Sequence, residues 1–125
     1  MPKNHPDWIM PAPSELYDRL YEVTERIAEL RREMAQIKLD YGRLHQKPEA
    51  LAVDDLGDPI DPVQVTEEVM WDLQDADREL YSAAATVSRT RGKFATRLKL
   101  TDAAAEQRWQ QLQQREQRTP IDRTR

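Results

Sequence analysis

The sequence contains no cysteine, and it has only two histidines and three glycines among its 125 residues. The absence of cysteine excludes disulfides, thiolate chemistry and cysteine-based zinc sites. Neither His5 nor His45 has a second histidine or a carboxylate at the spacing of a metal site. The glycines do not form a glycine-rich phosphate loop. We therefore expect no cofactor and no bound metal, and we expect that the protein is not an enzyme.

Long hydrophobic runs are also missing. No run of about 18 apolar residues occurs, so no membrane-spanning helix is predicted. Residues 1–13 lack the charged, apolar and small-residue segments of a signal peptide, so we expect a cytoplasmic protein without a membrane partner. The 19 basic and 23 acidic residues give a net charge of −4, which argues against a dedicated nucleic-acid binder because duplex binding requires neutralised phosphates.

The residues that are abundant are those of long helices, namely alanine, leucine, glutamate, glutamine and arginine. We predict an all-α fold, a long antiparallel helical hairpin of coiled-coil type with a short third C-terminal helix. The predicted organisation is a Pro-rich arm at 1–13, a helical hairpin or bundle domain at 14–118 and a flexible tail at 119–125. Within the domain we expect helices at 14–46, 63–98 and 102–118, with a linker at 47–62.

An uninterrupted heptad seam is the clearest pattern in the chain. In the first helix, nine residues follow alternating spacings of four and three positions: Leu16, Leu20, Val23, Ile27, Leu30, Met34, Ile37, Tyr41 and Leu44. In the second helix, one apolar face alternates large residues with alanines, and its large members are Val69, Leu73, Leu80, Val87, Phe94 and Leu98. These seams predict a protein that self-associates as a dimer or a larger oligomer.

A second apolar stripe lies beside the first seam, where Tyr21, Ala28 and Ala35 recur every seven residues. On the second helix, Trp71 projects away from the main seam, and Trp109 belongs to the narrow stripe of the third helix. One seam satisfies only one partner helix, so these residues predict a second contact surface. Another helix of this chain or another subunit would cover it.

The stretch from residue 88 to residue 99 contains five basic side chains and no acidic one. The helix macrodipole favours cations at a C-terminal end, which explains the sign of this stretch without a ligand. Arg89, Lys93, Arg97 and Lys99 are nevertheless available for phosphate contacts. Arg91 lies within the apolar stripe, so we predict that it forms an ion pair that helps set the helix register, with Glu15, Asp18 or Glu22 as partner.

Two pairs of acidic residues, Glu22-x-x-Glu25 and Asp72-x-x-Asp75, raise an alternative. They are similar to the paired acidic motifs with which all-α nucleotide pyrophosphohydrolases hold Mg²⁺. That resemblance implies a hydrolase. The heptad register, however, places Glu22 and Glu25 on the outside of the first helix, away from the second pair. A solvated charged face is the interpretation we prefer.

The N-terminal arm carries Trp8, Ile9 and Met10 between prolines. Three interpretations stay open for it: it packs on the chain's own helices, it binds a partner, or it is disordered. We expect an α-helical interaction or structural protein that acts as a scaffold, assembly or accessory factor. Its partners would be a second copy of itself and another protein. Such proteins are common in phages and mobile elements, so a viral source is one interpretation. The alternative is a nucleic-acid-associated protein that uses the basic end of the second helix.

Overall fold

The computed structural model describes residues 8–117, and these residues are all-α, as predicted. The three helices are α1 at Pro13–His45, α2 at Pro62–Lys93 and α3 at Asp102–Gln117. Short 3₁₀ turns lie at Pro48–Ala50 and Ala95–Arg97. The two long helices, α1 and α2, pack against each other. No strand occurs within residues 8–117.

Helix α1 begins one residue earlier than the predicted start at residue 14. The carbonyl of Ala12 accepts the first helical hydrogen bond, so Ala12 is the cap and Pro13 is the first helical residue. The carboxylate of Glu15 accepts a hydrogen bond from the Ala12 backbone N–H at 3.1 Å. This is the acidic half of a capping box, so a local side chain fixes the start of the helix.

Helix α3 begins at Asp102, as predicted, and α2 begins at Pro62, one residue before the predicted start at residue 63. The Asp61 carboxylate accepts a hydrogen bond from the Val63 N–H at 2.9 Å, and Pro62 occupies the first helical position. At α3, the hydroxyl of Thr101 accepts from the Ala104 N–H at 3.2 Å. Both starts depend on contacts within three residues, which is why they can be read from sequence.

The predicted end of the second helix at residue 98 is wrong, because α2 ends at Lys93. Gly92 lies next to this end, and glycine is about 0.8–1.0 kcal/mol less favourable than alanine in a helix. No atom lies close enough to contact a side chain at Gly92, so packing does not compensate for that cost. Phe94 and Leu98 therefore leave the predicted seam, and both are exposed.

The ends of the chain carry predictions that lie outside the described residues. These are the first seven residues of the arm, Arg118 at the end of the third helix, and the tail at 119–125. Helix α3 is described as far as Gln117.

The chain divides into two units. One unit combines the segment up to Leu20 with the segment from Thr90 onward, and the other is Tyr21–Arg89. In the second unit, cross-helix contacts move down α2 as they move up α1, so the two helices are antiparallel. These contacts join Arg31 to Asp77, Lys38 to Gln74 and His45 to Thr66.

Neither unit encloses an apolar core. Among residues 8–117, only Thr66 is buried, at 4% exposure, and no apolar side chain is buried. Fifteen large apolar side chains in the same range remain exposed. Within residues 8–117, the apolar contact between the helices is therefore made by partly buried side chains, and a small chain gains less stability from these than from a closed core.

Candidate functional site

The face of α1 that packs on α2 is not the predicted seam but a neighbouring face, rotated about the helix axis. The seam is built from two columns of residues, each repeating every seven positions. The inner column is half-buried and consists of Leu20, Ile27, Met34 and Tyr41. Next to it lies a polar column, also half-buried, of Tyr17, Thr24, Arg31, Lys38 and His45. Helix α1 therefore packs through the inner and polar columns rather than through the whole apolar seam.

Arg31 makes the most specific contact of the polar column. Its Nε and Nη2 donate to the two carboxylate oxygens of Asp77 at 2.8 and 3.2 Å. The guanidinium also lies over the ring of Tyr81, 4.9 Å from the ring centre. The hydrogen bond from Arg31 lowers the pKa of the Asp77 carboxyl below its ordinary value. The forked geometry fixes both the separation and the register of the two helices.

Two further polar contacts continue this column toward the linker. The ammonium of Lys38 donates to the side-chain carbonyl of Gln74. The Nδ1 atom of His45 lies 2.9 Å from the hydroxyl oxygen of Thr66. That hydroxyl also lies 2.8 Å from the backbone carbonyl of Val63 and 3.2 Å from that of Pro62. It therefore joins the end of α1 to the first turn of α2.

These contacts explain why the packed face is rotated. Arg31, Lys38 and His45 reach their partners on α2 only if the polar column faces that helix. Their partners lie 46, 36 and 21 residues away in sequence. A heptad pattern marks apolar positions and does not weigh such distant polar pairs. The signal available in the sequence was the set of polar residues at seven-residue spacing beside the seam.

The other column of the predicted seam stays exposed as a consequence of this rotation. This outer column consists of Leu16, Val23, Leu30, Ile37 and Leu44, which are 37–49% exposed. It extends along one face of α1 for about 40 Å, at about 1.5 Å per residue. A heptad column of five apolar residues has the pattern of a helix–helix contact. The outer column is our candidate functional site.

The large residues of the predicted α2 seam separate into two groups. Four of them lie on the half-buried face of α2, namely Val69, Leu73, Leu80 and Val87. Phe94 and Leu98 do not, because they follow the end of the helix.

Two residues of the predicted second contact surface line a groove between α1 and α2. Ala28 and Ala35 line a groove of about 420 Å³ together with Leu73 of α2. The small side chains leave this space open, while Tyr21 is exposed. Trp71 and Trp109 are also largely exposed, each within its own unit.

Arg91 has a different partner from the one predicted. Its Nε donates to the backbone carbonyl of Tyr17 at 3.0 Å, and its guanidinium lies 3.7 Å from the centre of the Tyr17 ring. No ion pair of the described residues joins it to Glu15, Asp18 or Glu22. The ring and the carbonyl of Tyr17 both interact favourably with the half-buried guanidinium.

Arg108 of α3 is a contact residue that the sequence patterns missed. Its Nε donates to the backbone carbonyl of Met10 at 2.9 Å, and its guanidinium pairs with the Glu15 carboxylate. Ile9 and Met10 are half-buried, whereas Trp8 remains exposed. The described part of the arm thus contacts the chain's own helix α3. The sequence signal for this contact was the four-residue spacing of Arg108 and Ala104, which places both on one face of α3, and both are half-buried.

The four basic residues proposed for phosphate contacts do not share one helical stripe. Arg89 and Lys93 belong to α2, Arg97 lies in the following 3₁₀ turn, and Lys99 lies beyond it. All four are exposed, and none takes part in an ion pair of the described residues.

The acidic pairs carry no described metal site. Glu22, Glu25 and Asp72 are exposed, and Asp75 forms an exposed pair with Arg78 at 3.3 Å. No cluster of three or more metal-ligating side chains occurs among residues 8–117.

Within the same range, no helix has the length and apolar character needed to cross a membrane. No protein-family model, curated protein or solved structure matches the chain.

Proposed function

We propose that this chain is a non-enzymatic interaction protein that self-associates through α1 and acts as a scaffold, assembly or accessory factor. The observation that carries the proposal is the exposed outer column of α1. Leaving five apolar residues of one heptad column in water is unfavourable, and a second helix would remove them from it. We also propose a cytoplasmic location for the protein. A phage or mobile-element source stays a prediction from the sequence.

The missing core supports the same proposal. Two helical hairpins that share their apolar faces form a four-helix bundle, which supplies a core that neither hairpin encloses alone. Trp71 in one unit and Trp109 in the other would then each remain available for another protein. Aromatic side chains are enriched in protein–protein interfaces, and tryptophan is enriched among the few residues that carry most of the binding energy.

Multi-angle light scattering tests self-association directly. We expect a dimer or larger oligomer whose mass is the same at about 50 mM and about 500 mM salt, because apolar burial is not screened as charge pairs are. A monomer at all protein concentrations and both salt levels would contradict the proposal.

A second function is favoured by one observation, the four exposed cations at 89–99 that lie outside the described ion pairs. In that case the protein associates with nucleic acid through phosphate contacts. Adding duplex DNA to the same light-scattering experiment separates the two functions. A shift in mass that disappears at high salt, and that weakens in Lys93→Gln, favours nucleic-acid binding. A salt-insensitive oligomer that ignores DNA favours the first function.

A further inference from the structure

A column of charged residues runs beside the outer column of α1. Each member follows an outer-column residue by three positions, and the members in order are Arg19, Arg26, Glu33 and Asp40. All four are exposed. We call them the flanking column. Its first half is positive and its second half is negative, so it is complementary to itself when reversed.

We propose that a second copy of this chain docks on the outer column with its α1 antiparallel, about a two-fold axis at Leu30. This rests on the proposed self-association and adds its partner face and orientation. In an antiparallel pair of helices, the numbers of facing residues have a constant sum. An axis at Leu30 places Val23 opposite Ile37 of the second copy and Leu16 opposite Leu44 of the second copy, so the column is matched along its length.

The same axis matches the charges. In an antiparallel pair, a column on one side of the contact faces the same column of the second copy. Arg26 therefore lies beside Glu33 of the second copy, and Arg19 lies beside Asp40 of the second copy. Each pair occurs twice because the axis is two-fold. Opposite charges beside an apolar seam select the orientation of helix pairs.

A parallel pair would lose this match. Its axis runs along the helices, so the flanking column of one copy faces the inner column of the other. The inner column contains only Leu20, Ile27, Met34 and Tyr41. Four charged side chains on each copy would then lack opposite charges across the contact. The charge order of α1 therefore favours the antiparallel arrangement.

Existing contacts leave the flanking column available. Arg26 and Glu33 take part in no ion pair of the described residues. Asp40 pairs with Arg43 at 3.0 Å, but both side chains are more than half exposed. Exposed ion pairs contribute little to stability, so Asp40 exchanges partners at little cost. Because the polar column holds α2 elsewhere on α1, the outer and flanking columns are free to meet a second copy.

Single cysteines test the orientation, and the chain has no cysteine of its own to interfere. Under mild oxidation, we expect Val23→Cys mixed with Ile37→Cys to form a mixed disulfide dimer. Val23→Cys alone should not couple, because the two copies of residue 23 would lie about 21 Å apart along the axis. A disulfide requires Cα atoms within about 7 Å. Efficient coupling of Val23→Cys to itself overturns the antiparallel arrangement.

Charge reversal tests the flanking column. We expect Arg26→Glu and Glu33→Arg each to weaken the dimer about tenfold, since each turns two attractive contacts into repulsive ones. The double variant should restore the wild-type dissociation constant because it only exchanges the charges. Arg32→Glu, exposed and on the opposite side of α1, is the matched control and should leave that constant unchanged.

The outcomes separate this inference from the function on which it rests. Wild-type protein that is monomeric at every concentration overturns self-association and the antiparallel pairing together. A stable wild-type dimer in which the charge-exchanged double variant stays weak overturns the antiparallel pairing and leaves self-association intact. The mixed disulfide together with the restored double variant supports both.

Discussion

Leu30→Ala should weaken self-association far more than it weakens the fold. Leu30 is 49% exposed in the single chain, so about half of this residue is left for a partner to bury. Burying a whole leucine side chain contributes about 1.5–3 kcal/mol, so the remaining half is worth roughly 1 kcal/mol per copy. A dimer contains two copies, and the loss is about 2 kcal/mol, or about a 30-fold higher dissociation constant.

Sedimentation equilibrium over a range of protein concentrations measures this change. The matched control is Leu56→Ala, because Leu56 is also a leucine but lies outside the helices and is 88% exposed. Its dissociation constant should equal that of the wild type. If Leu30→Ala and Leu56→Ala dimerise equally well, the outer column is not the contact surface and the reasoning from exposure is refuted.

Three further predictions concern the contact between α1 and α2. Thr66→Val removes the hydroxyl that hydrogen-bonds with His45 Nδ1 and should lower the free energy of unfolding by about 1 kcal/mol in urea titration. Arg31 lowers the pKa of Asp77, so their pair stabilises the fold above about pH 3.9 and is lost as the pH falls through the lowered pKa. The acid-induced decline in melting temperature should therefore be smaller in Asp77→Asn. Gly42→Ala should stabilise the chain by about 0.5–1 kcal/mol, because glycine is unfavourable inside a helix and the new methyl would lie 3.8 Å from Met70 Sδ.

Each of these has a result that would count against it. Thr86→Val, exposed on the same helix, should change the free energy of unfolding by less than about 0.5 kcal/mol, and an equal loss at both threonines would show that the His45 contact is not responsible. If the melting temperature of Asp77→Asn falls with pH as steeply as that of the wild type, the Arg31–Asp77 pair does not cause the decline. Destabilisation by Gly42→Ala would mean that α1 and α2 lie too close there for a methyl group.

The helix starts were predictable because they depend on neighbouring residues. Asp61 and Thr101 each cap a helix through a backbone N–H two or three residues further on. The end of α2 was less predictable. The apolar spacing continued to Leu98, whereas the helix stops at Lys93, close to Gly92. Periodicity identifies a face of a helix, but it does not measure whether any neighbour covers that face.

The partner of Arg91 shows a related limit. The sequence predicted that a half-buried cation would need a partner near the start of α1, and the structure supplies one there. Its chemistry was unexpected, because the ring and carbonyl of Tyr17 accept the guanidinium instead of Asp18. Carboxylates are easy to recognise in a sequence, while a backbone carbonyl acquires its role only from the fold.

The sequence by itself determined that the chain is all-α, where its helices begin, and that α1 carries two apolar columns. These properties follow from local hydrogen bonding and from a seven-residue period, which any α-helix converts into a face. Only the tertiary structure decided which column packs on α2 and which stays exposed. That choice depends on contacts such as Arg31 with Asp77, which are 46 residues apart and exist only once the two helices meet.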